Sequence, residues 1–233
     1  MTLMNPFEIV TEPDVDDAVW PSSFETAREA DILATLIGHI RPSDPSPDDT
    51  AQFLVAHFGS LPQVLAAPIG ELRQHGGSDL ATALIAARWA VLASLRQDMR
   101  RGELLTHYEA VHVYLRARLG AEPVEHVVAL FLDIKNRLIR DEVMSVGTPS
   151  GCALEPRQIL ARALQLNASA LIIAHNHPSG DPTPSRSDIV MTSRLTVAAK
   201  ALGMALHDHY IVTAVDIYSL RAHGHFPKDT PGT

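Results

Sequence analysis

ASALIIAHNHPSGDPTPSRSD, residues 168–188, joins a short apolar run to a polar turn and then to a new periodic segment. The run at 171–174, LIIA, is apolar and rich in β-branched residues, which predicts a strand buried on both faces. It ends in His175-Asn176-His177. Alternate residues of a strand face the same side, so the two imidazoles project together, roughly 6–7 Å apart at their Cα atoms, and Asn176 faces the other way. That spacing suits two ligands of one small metal ion. Residues 178–184, PSGDPTP, cannot continue a strand and must turn. Behind them Ser185-x-x-Asp188 opens a segment with apolar Ile189, Leu195, Val197 and Ala198, so Ser185 reads as a helix N-cap and Asp188 as its acidic partner. A helix starting there can aim Asp188 back at the strand end as a third ligand. Two imidazoles, one carboxylate and a position left for water are the ligand set of catalytic zinc. The spacing alone fits equally well a strand that merely ends in histidines before a capped helix.

Two further pairs act as internal controls. His207-x-His209 has no Ser-x-x-Asp behind it, and His223-x-His225 sits in a tail containing glycine and proline. Only the pair at His175 is followed by a turn and a second acidic candidate.

The string His175-x-His177-Pro178-Ser179, with seven residues between His177 and Ser185, followed by Ser185-x-x-Asp188, matches the JAMM motif of JAB/MPN-type metalloproteases at every defined position. With GTPSG at 147–151 upstream and LHDHYIV at 206–212 downstream, the chain resembles the RadC family in particular, over roughly residues 108–224. The resemblance implies a JAB/MPN-type α/β sandwich with a cytidine-deaminase-like layout, and one zinc held by His175, His177 and Asp188. It implies a glutamate base at the start of the first strand, ahead of an apolar Leu-x-Leu. Glu125, followed by HVVALFL, matches that position, and Glu142 in the next strand is its rival. The motif's serine, here Ser185, is given the task of donating a hydrogen bond to a tetrahedral oxyanion, a role that needs a pre-aimed donor. One hydroxyl can hardly do this and cap a helix at once. His207, Asp208 and His209 resemble the family's Asp-His pair on a later strand and read as core, or as groups that orient a ligand.

Length, charge and composition bound the rest. The chain has 233 residues, 46% of them apolar, and a mean hydropathy of +0.05. Those values indicate a soluble globular protein of one or two domains. No apolar run approaches the ~18–20 residues that span a bilayer, so no membrane association is expected. The acidic start, MTLMNPFEIVTEPDVDD, does not read as a signal peptide. Cys152 is the single cysteine, which rules out an internal disulfide framework and fits a reducing cytoplasm. It reads as a small buried residue. There is no Walker-type glycine loop and no nucleophilic serine elbow, so nucleotide-driven and acyl-enzyme chemistry lack support.

The expected organisation is α+β. Residues 1–21 form an acidic tail, 22–103 an all-helical domain, 104–224 the metal-binding domain and 225–233 a loose end. In the helical part, Thr26-x-x-Glu29 predicts a capped helix with Ile32, Leu33, Leu36, Ile37 and Ile40 on one stripe. Helices follow from Asp49 to Phe58, at 61–66 and at 69–74, and a long one lies beyond His75-Gly76-Gly77-Ser78. This helix–GlyGly–helix arrangement resembles the helix-hairpin-helix modules at the front of RadC-like chains, whose Gly-x-Gly turn holds a phosphate. His75 falls where the first glycine should be, and a non-glycine residue rarely takes positive φ. Residues 107–119 predict an amphipathic helix. Strands are expected over 125–133, 138–146, 209–213 and 217–220, and a helix from Pro156 to Leu166.

The expected function is a cytoplasmic, zinc-dependent hydrolase of amide bonds, a metallopeptidase or isopeptidase acting on a peptide or protein. The alternative is a non-catalytic JAB/MPN scaffold or a DNA-repair-associated binding module of the RadC type. Charge weighs against DNA as a partner. Residues 1–103 hold seven Arg, no Lys and fifteen Asp or Glu, a net of −8, and no lysine precedes Lys135. Non-specific affinity for DNA scales with the phosphates neutralised by Lys and Arg, and only Arg96, Arg100 and Arg101 cluster. Fluorescence anisotropy of the full chain with a short duplex at physiological salt should therefore show no sub-micromolar binding. Tight binding with a steep salt dependence would overturn this expectation.

Overall fold

The computed structural model describes residues 28–101, 108–147 and 155–227. Thr26, the expected domain boundary at Gly102-Glu103, most of the loop at 147–151, Cys152 and both tail ends lie outside them. The chain divides into two compact units, residues 1–61 and 62–233.

In the first unit, α1 (Glu29–Ile40) and α2 (Pro47–Phe58) pack through Leu33, Ala34, Ile37, Ala51 and Leu54. Arg28 precedes α1, and its N–H donates to Asp31 at 3.2 Å, so Asp31 supplies the acceptor expected of Glu29. The second helix starts two residues earlier than expected because Pro47 occupies its first turn, where a missing N–H costs nothing.

The division falls at the first residue of α3 (Leu61–Ala66), and the second unit continues with α4 (Ile69–Arg101). The expected break inside α4 is a single residue, Gly77, with φ 77° and ψ 169°, a conformation that needs glycine. By length and composition alone α4 is apolar enough to cross a membrane, against the expectation that no segment would be. Its alanines and leucines carry the average, although the run is interrupted by Arg88 and Arg96. Both arginines are tied into the unit. Arg88 donates to Glu122 and to the Arg118 carbonyl. Arg96 is paired with Asp141, which also accepts the Tyr114 hydroxyl.

After α5 (Tyr108–Leu119) the chain forms β1 (His126–Leu132) and β2 (Leu138–Val146), then α6 (Pro156–Gln165), β3 (Ala170–Asn176), α7 (Arg186–Ala201), β4 (Ala205–Val212) and β5 (Ile217–Ser219). The sheet order is β2-β1-β3-β4-β5, with β3 and β4 parallel and the other neighbours antiparallel. An N-terminal helical region is thus followed by a mixed α/β sheet domain. Gly120 permits the close approach that docks α5 on the sheet, since a Cβ there would lie 2.7 Å from Arg116 O and 3.1 Å from Thr213 O.

The sheet has a core on each face. Leu92, Met99, Leu115 and Leu119 from α4 and α5 meet Val128, Leu130, Ile172 and Ala174 on one side. Ile159, Ala163, Leu195 and Ala199 from α6 and α7 meet Val127, Ala129, Phe131, Leu171 and Ile173 on the other. Strand β4 starts four residues before the expected 209, and its register against β3 slips by one at His207. An extra residue bends a strand locally and re-aims its side chain. His207 and His209 therefore part company: His207 reaches Asn136 Oδ1 at 2.7 Å, and His209 turns into the core.

Asn176, the residue between the two motif histidines, is buried on the α5 side. Its Oδ1 accepts the His126 N–H at 2.8 Å, and its amide donates to the Glu122 and Val124 carbonyls at 3.1 and 3.0 Å. It thereby fixes the backbone on both sides of Glu125. Asn176→Ala takes a partner from the His126 N–H and from the Glu122 carbonyl, while the Val124 carbonyl keeps His126 Nδ1 at 3.0 Å. Each lost bond costs about 1–3 kcal/mol where water cannot replace it. Chemical denaturation should show a loss of about 3 kcal/mol. A loss below about 0.5 kcal/mol would mean that Asn176 does not hold this segment.

Candidate metal centre

His175 is the penultimate residue of β3, on the face covered by α7, and is 2% exposed. Burial pushes its pKa down to about 4, assisted by His177 and opposed by Asp188. His177 lies just past the strand but is held in line by its N–H, which donates to Val212 O at 2.9 Å. Its Nδ1 stands 2.7 Å from Asp181 O in the Pro-rich turn. A carbonyl can only accept, so Nδ1 carries the proton and Nε2 keeps a lone pair. That Nε2 faces His175 Nε2 at 3.0 Å. Two ring nitrogens so close can share either a proton or a cation, and the tautomer of His175 decides which.

Asp188 sits in the first turn of α7, as its spacing from Ser185 predicted. Ser185 is the N-cap: its Oγ accepts the Asp188 N–H at 3.2 Å, and its own N–H donates to Asp188 Oδ2 at 2.8 Å. The Ser185 hydroxyl also donates to Asp188 Oδ2 at 2.5 Å and lies 2.8 Å from Ser187 Oγ. One carboxylate oxygen is thus tied to the cap, and Oδ1 is 3.5 Å from His175 Nε2. Oδ2 is 3.9 Å from His177 Nε2. In this geometry the Ser185 hydroxyl is engaged by its own helix turn.

Glu125 immediately precedes β1 and is half-buried. Its carbonyl accepts the Gly147 N–H at 2.6 Å, and Asn176 fixes the flanking peptides. Ligand atoms of Glu125, His175 and His177 all lie within 4.8 Å of one another, so this group could hold a metal ion. Burial raises the Glu125 pKa, His177 opposes the rise and Asp188 adds to it. The rival Glu142 is elsewhere engaged. Arg162 grips it through two hydrogen bonds of 2.6 and 2.7 Å and holds its carboxyl below the usual range.

Glu125, His175, Asp188 and His209 open on a cleft of about 260 Å³, also lined by Val127, Met191 and Arg194; His177 stands beside it, its Nε2 against that of His175. Glu142 is not among its lining residues. Two carboxylates, Glu125 and Asp188, therefore approach the imidazole pair from different elements, where the spacing of the motif alone offered one.

The later His-x-His pairs separate as well. His209 is 1% exposed and its Nε2 is 2.8 Å from His175 Nδ1, so of the group at 207–209 it is the one that touches a motif histidine. Asp208 accepts from the His209 and Arg221 N–H groups and from the Ser219 hydroxyl, closing the end of the sheet. His223 stacks on Tyr218, whose hydroxyl meets His225 Nε2 at 3.0 Å. Sequence reasoning did not single out Thr192, which is fully buried with its Oγ1 2.6 Å from His209 Nδ1. The available signal was its position one turn after Asp188, a polar residue on the core-facing stripe of α7.

The donor set suits a divalent transition metal: imidazole nitrogens and carboxylate oxygens at the end of a buried strand are ordinary zinc ligands. Residues 105–225 match the RadC-like JAB domain family. The match takes in Glu125, both motif histidines, Ser185, Asp188 and His209. With more than half of its residues inside that match, the chain belongs to the family of RadC-like JAB domain proteins.

Proposed function

We propose that this protein is a zinc-dependent hydrolase that cleaves amide bonds of a peptide or protein, with His175, His177 and Asp188 as metal ligands and Glu125 as general base. One observation carries the reading: two imidazole Nε2 atoms and two carboxylates of unlike character converge, with His175, Glu125 and Asp188 lining one cleft. Asp188 has the character of a ligand. The Ser185 cap fixes its Oδ2, which sets the direction of Oδ1. Glu125 has the character of a base, since partial burial raises its affinity for a proton. A zinc ion in such a site supplies Lewis acidity, polarising a carbonyl and making water acidic near neutral pH.

The roles of the chain's own groups follow. Glu125 takes a proton from the attacking water as the new C–O bond forms, and its carboxyl then passes that proton to the departing nitrogen as the C–N bond breaks. Val127 and Met191 give the cleft an apolar wall that limits competing water. Ser185 can serve an oxyanion only by giving up its bond to Asp188, so its first duty is the cap. The peptide or isopeptide nature of the substrate rests on the family.

The test has two arms. Purified protein should contain about one zinc per chain, and His175→Ala/His177→Ala should lose it. Glu125→Gln should keep the zinc and the fold but lose hydrolysis of a peptide library, by about 10²-fold or more. Full metal retention in the double variant would overturn the ligand assignment. An inactive, zinc-loaded Glu142→Gln beside an active Glu125→Gln would move the base.

A further inference from the structure

His175 reaches the site through a chain of buried hydrogen bonds, and the direction of that chain decides what its Nε2 can do. Thr192 Oγ1 is 2.6 Å from Asp188 O, one turn back on α7, and 2.6 Å from His209 Nδ1. A hydroxyl has one proton, and a carbonyl oxygen can only accept. The Thr192 proton therefore goes to Asp188 O, and the contact with His209 is satisfied when His209 Nδ1–H donates to Thr192 Oγ1. His209 is 1% exposed, and the hydrogen bonds of its ring run to Thr192 Oγ1 and His175 Nδ1, with no carboxylate between them to hold a second proton. A neutral ring with its proton on Nδ1 has a lone pair on Nε2. That atom accepts from His175 Nδ1, 2.8 Å away. His175 then keeps its own lone pair on Nε2, the atom that faces His177 Nε2 and Asp188 Oδ1.

We infer that Thr192 and His209 are positioning residues that set the tautomer of His175 and so present its Nε2 as a metal ligand. This deepens the metal-site reading and rests on it for its consequence, though the tautomer itself is a property of the metal-free chain. Asp188 enters twice: its side chain faces the imidazoles, and its backbone carbonyl is the acceptor that gives the relay its direction. The reverse direction, with Thr192 donating to His209, would place a proton on His209 Nε2 and then on His175 Nε2. That nitrogen would be closed to a cation. His177 needs no relay, because the Asp181 carbonyl fixes its tautomer directly.

Thr192→Val has nearly the same shape and removes the acceptor for His209 Nδ1–H. Thr192→Ser keeps it. In the metal-free full-length protein labelled with ¹⁵N-histidine, NMR should find His175 protonated at Nδ1 in the wild type and in Thr192→Ser. In Thr192→Val, the Nε2-protonated form of His175 should become populated. Competition with a chromophoric chelator should show zinc affinity falling by about 10–100-fold in Thr192→Val and by no more than about threefold in Thr192→Ser. His175 protonated at Nε2 in the wild type would overturn the inference, as would Thr192→Val with unchanged tautomer and affinity. Equal losses in the two variants would also overturn it, because packing alone would then explain them. If the wild type binds no zinc, the metal reading fails, and the tautomers of the three proteins still decide whether the relay exists.

Discussion

Strand β3 is hydrogen-bonded along both edges, to β1 and to β4, and is buried on both faces. Its pleat then sends consecutive side chains to opposite layers, with no freedom to slip, because a shift of one residue would exchange the two cores. His175 consequently points under α7 and Asn176 points under α5. The first meets Asp188 and His209, and the second fixes the peptides around Glu125. The proposed ligand and the proposed base are thus placed by adjacent residues of one strand, each using a different face of the sheet. The site depends on that strand's register more than on any single contact within the cleft.

The electrostatics follow from the same burial. Both motif imidazoles expose Nε2 toward a common point, and burial keeps His175 from charging. Asp188 is committed at one oxygen to the α7 cap, whereas Glu125 is only half-buried and has an elevated proton affinity. A cleft that holds one oriented carboxylate and one proton-seeking carboxylate is suited to separate duties for the two. Arg162, on α6, removes Glu142 from the competition by binding both oxygens of its carboxylate.

Much of this was legible in the chain because it is local. The His-x-His pair, the Pro-rich turn and the Ser185–Asp188 box lie within fourteen consecutive residues, and period-2 and capping rules are enough to place them. The match of residues 105–225 to the RadC-like JAB domain family agrees with the resemblance read from that motif. What lay beyond the sequence was non-local. The one-residue slip at His207 separates a His-x-His pair that alternation alone would put on one face. The partnership of Asn176 with residues 122–126 spans some fifty positions. The His175–His209–Thr192 contacts cross two strands and a helix, and only the packing brings those ring nitrogens and that hydroxyl together. The apolar average of α4 was missed for another reason: Arg88 and Arg96 interrupt the run that its alanines and leucines otherwise make.

Anomalous diffraction at the zinc edge, from crystals of the full chain grown with zinc, tests the central claim most directly. The account predicts one peak bonded at about 2.0–2.2 Å to His175 Nε2, His177 Nε2 and an Asp188 oxygen, with the Glu125 carboxylate close by but not bonded. A peak coordinated by Glu125 in place of Asp188, or no peak at the imidazole pair, would contradict it.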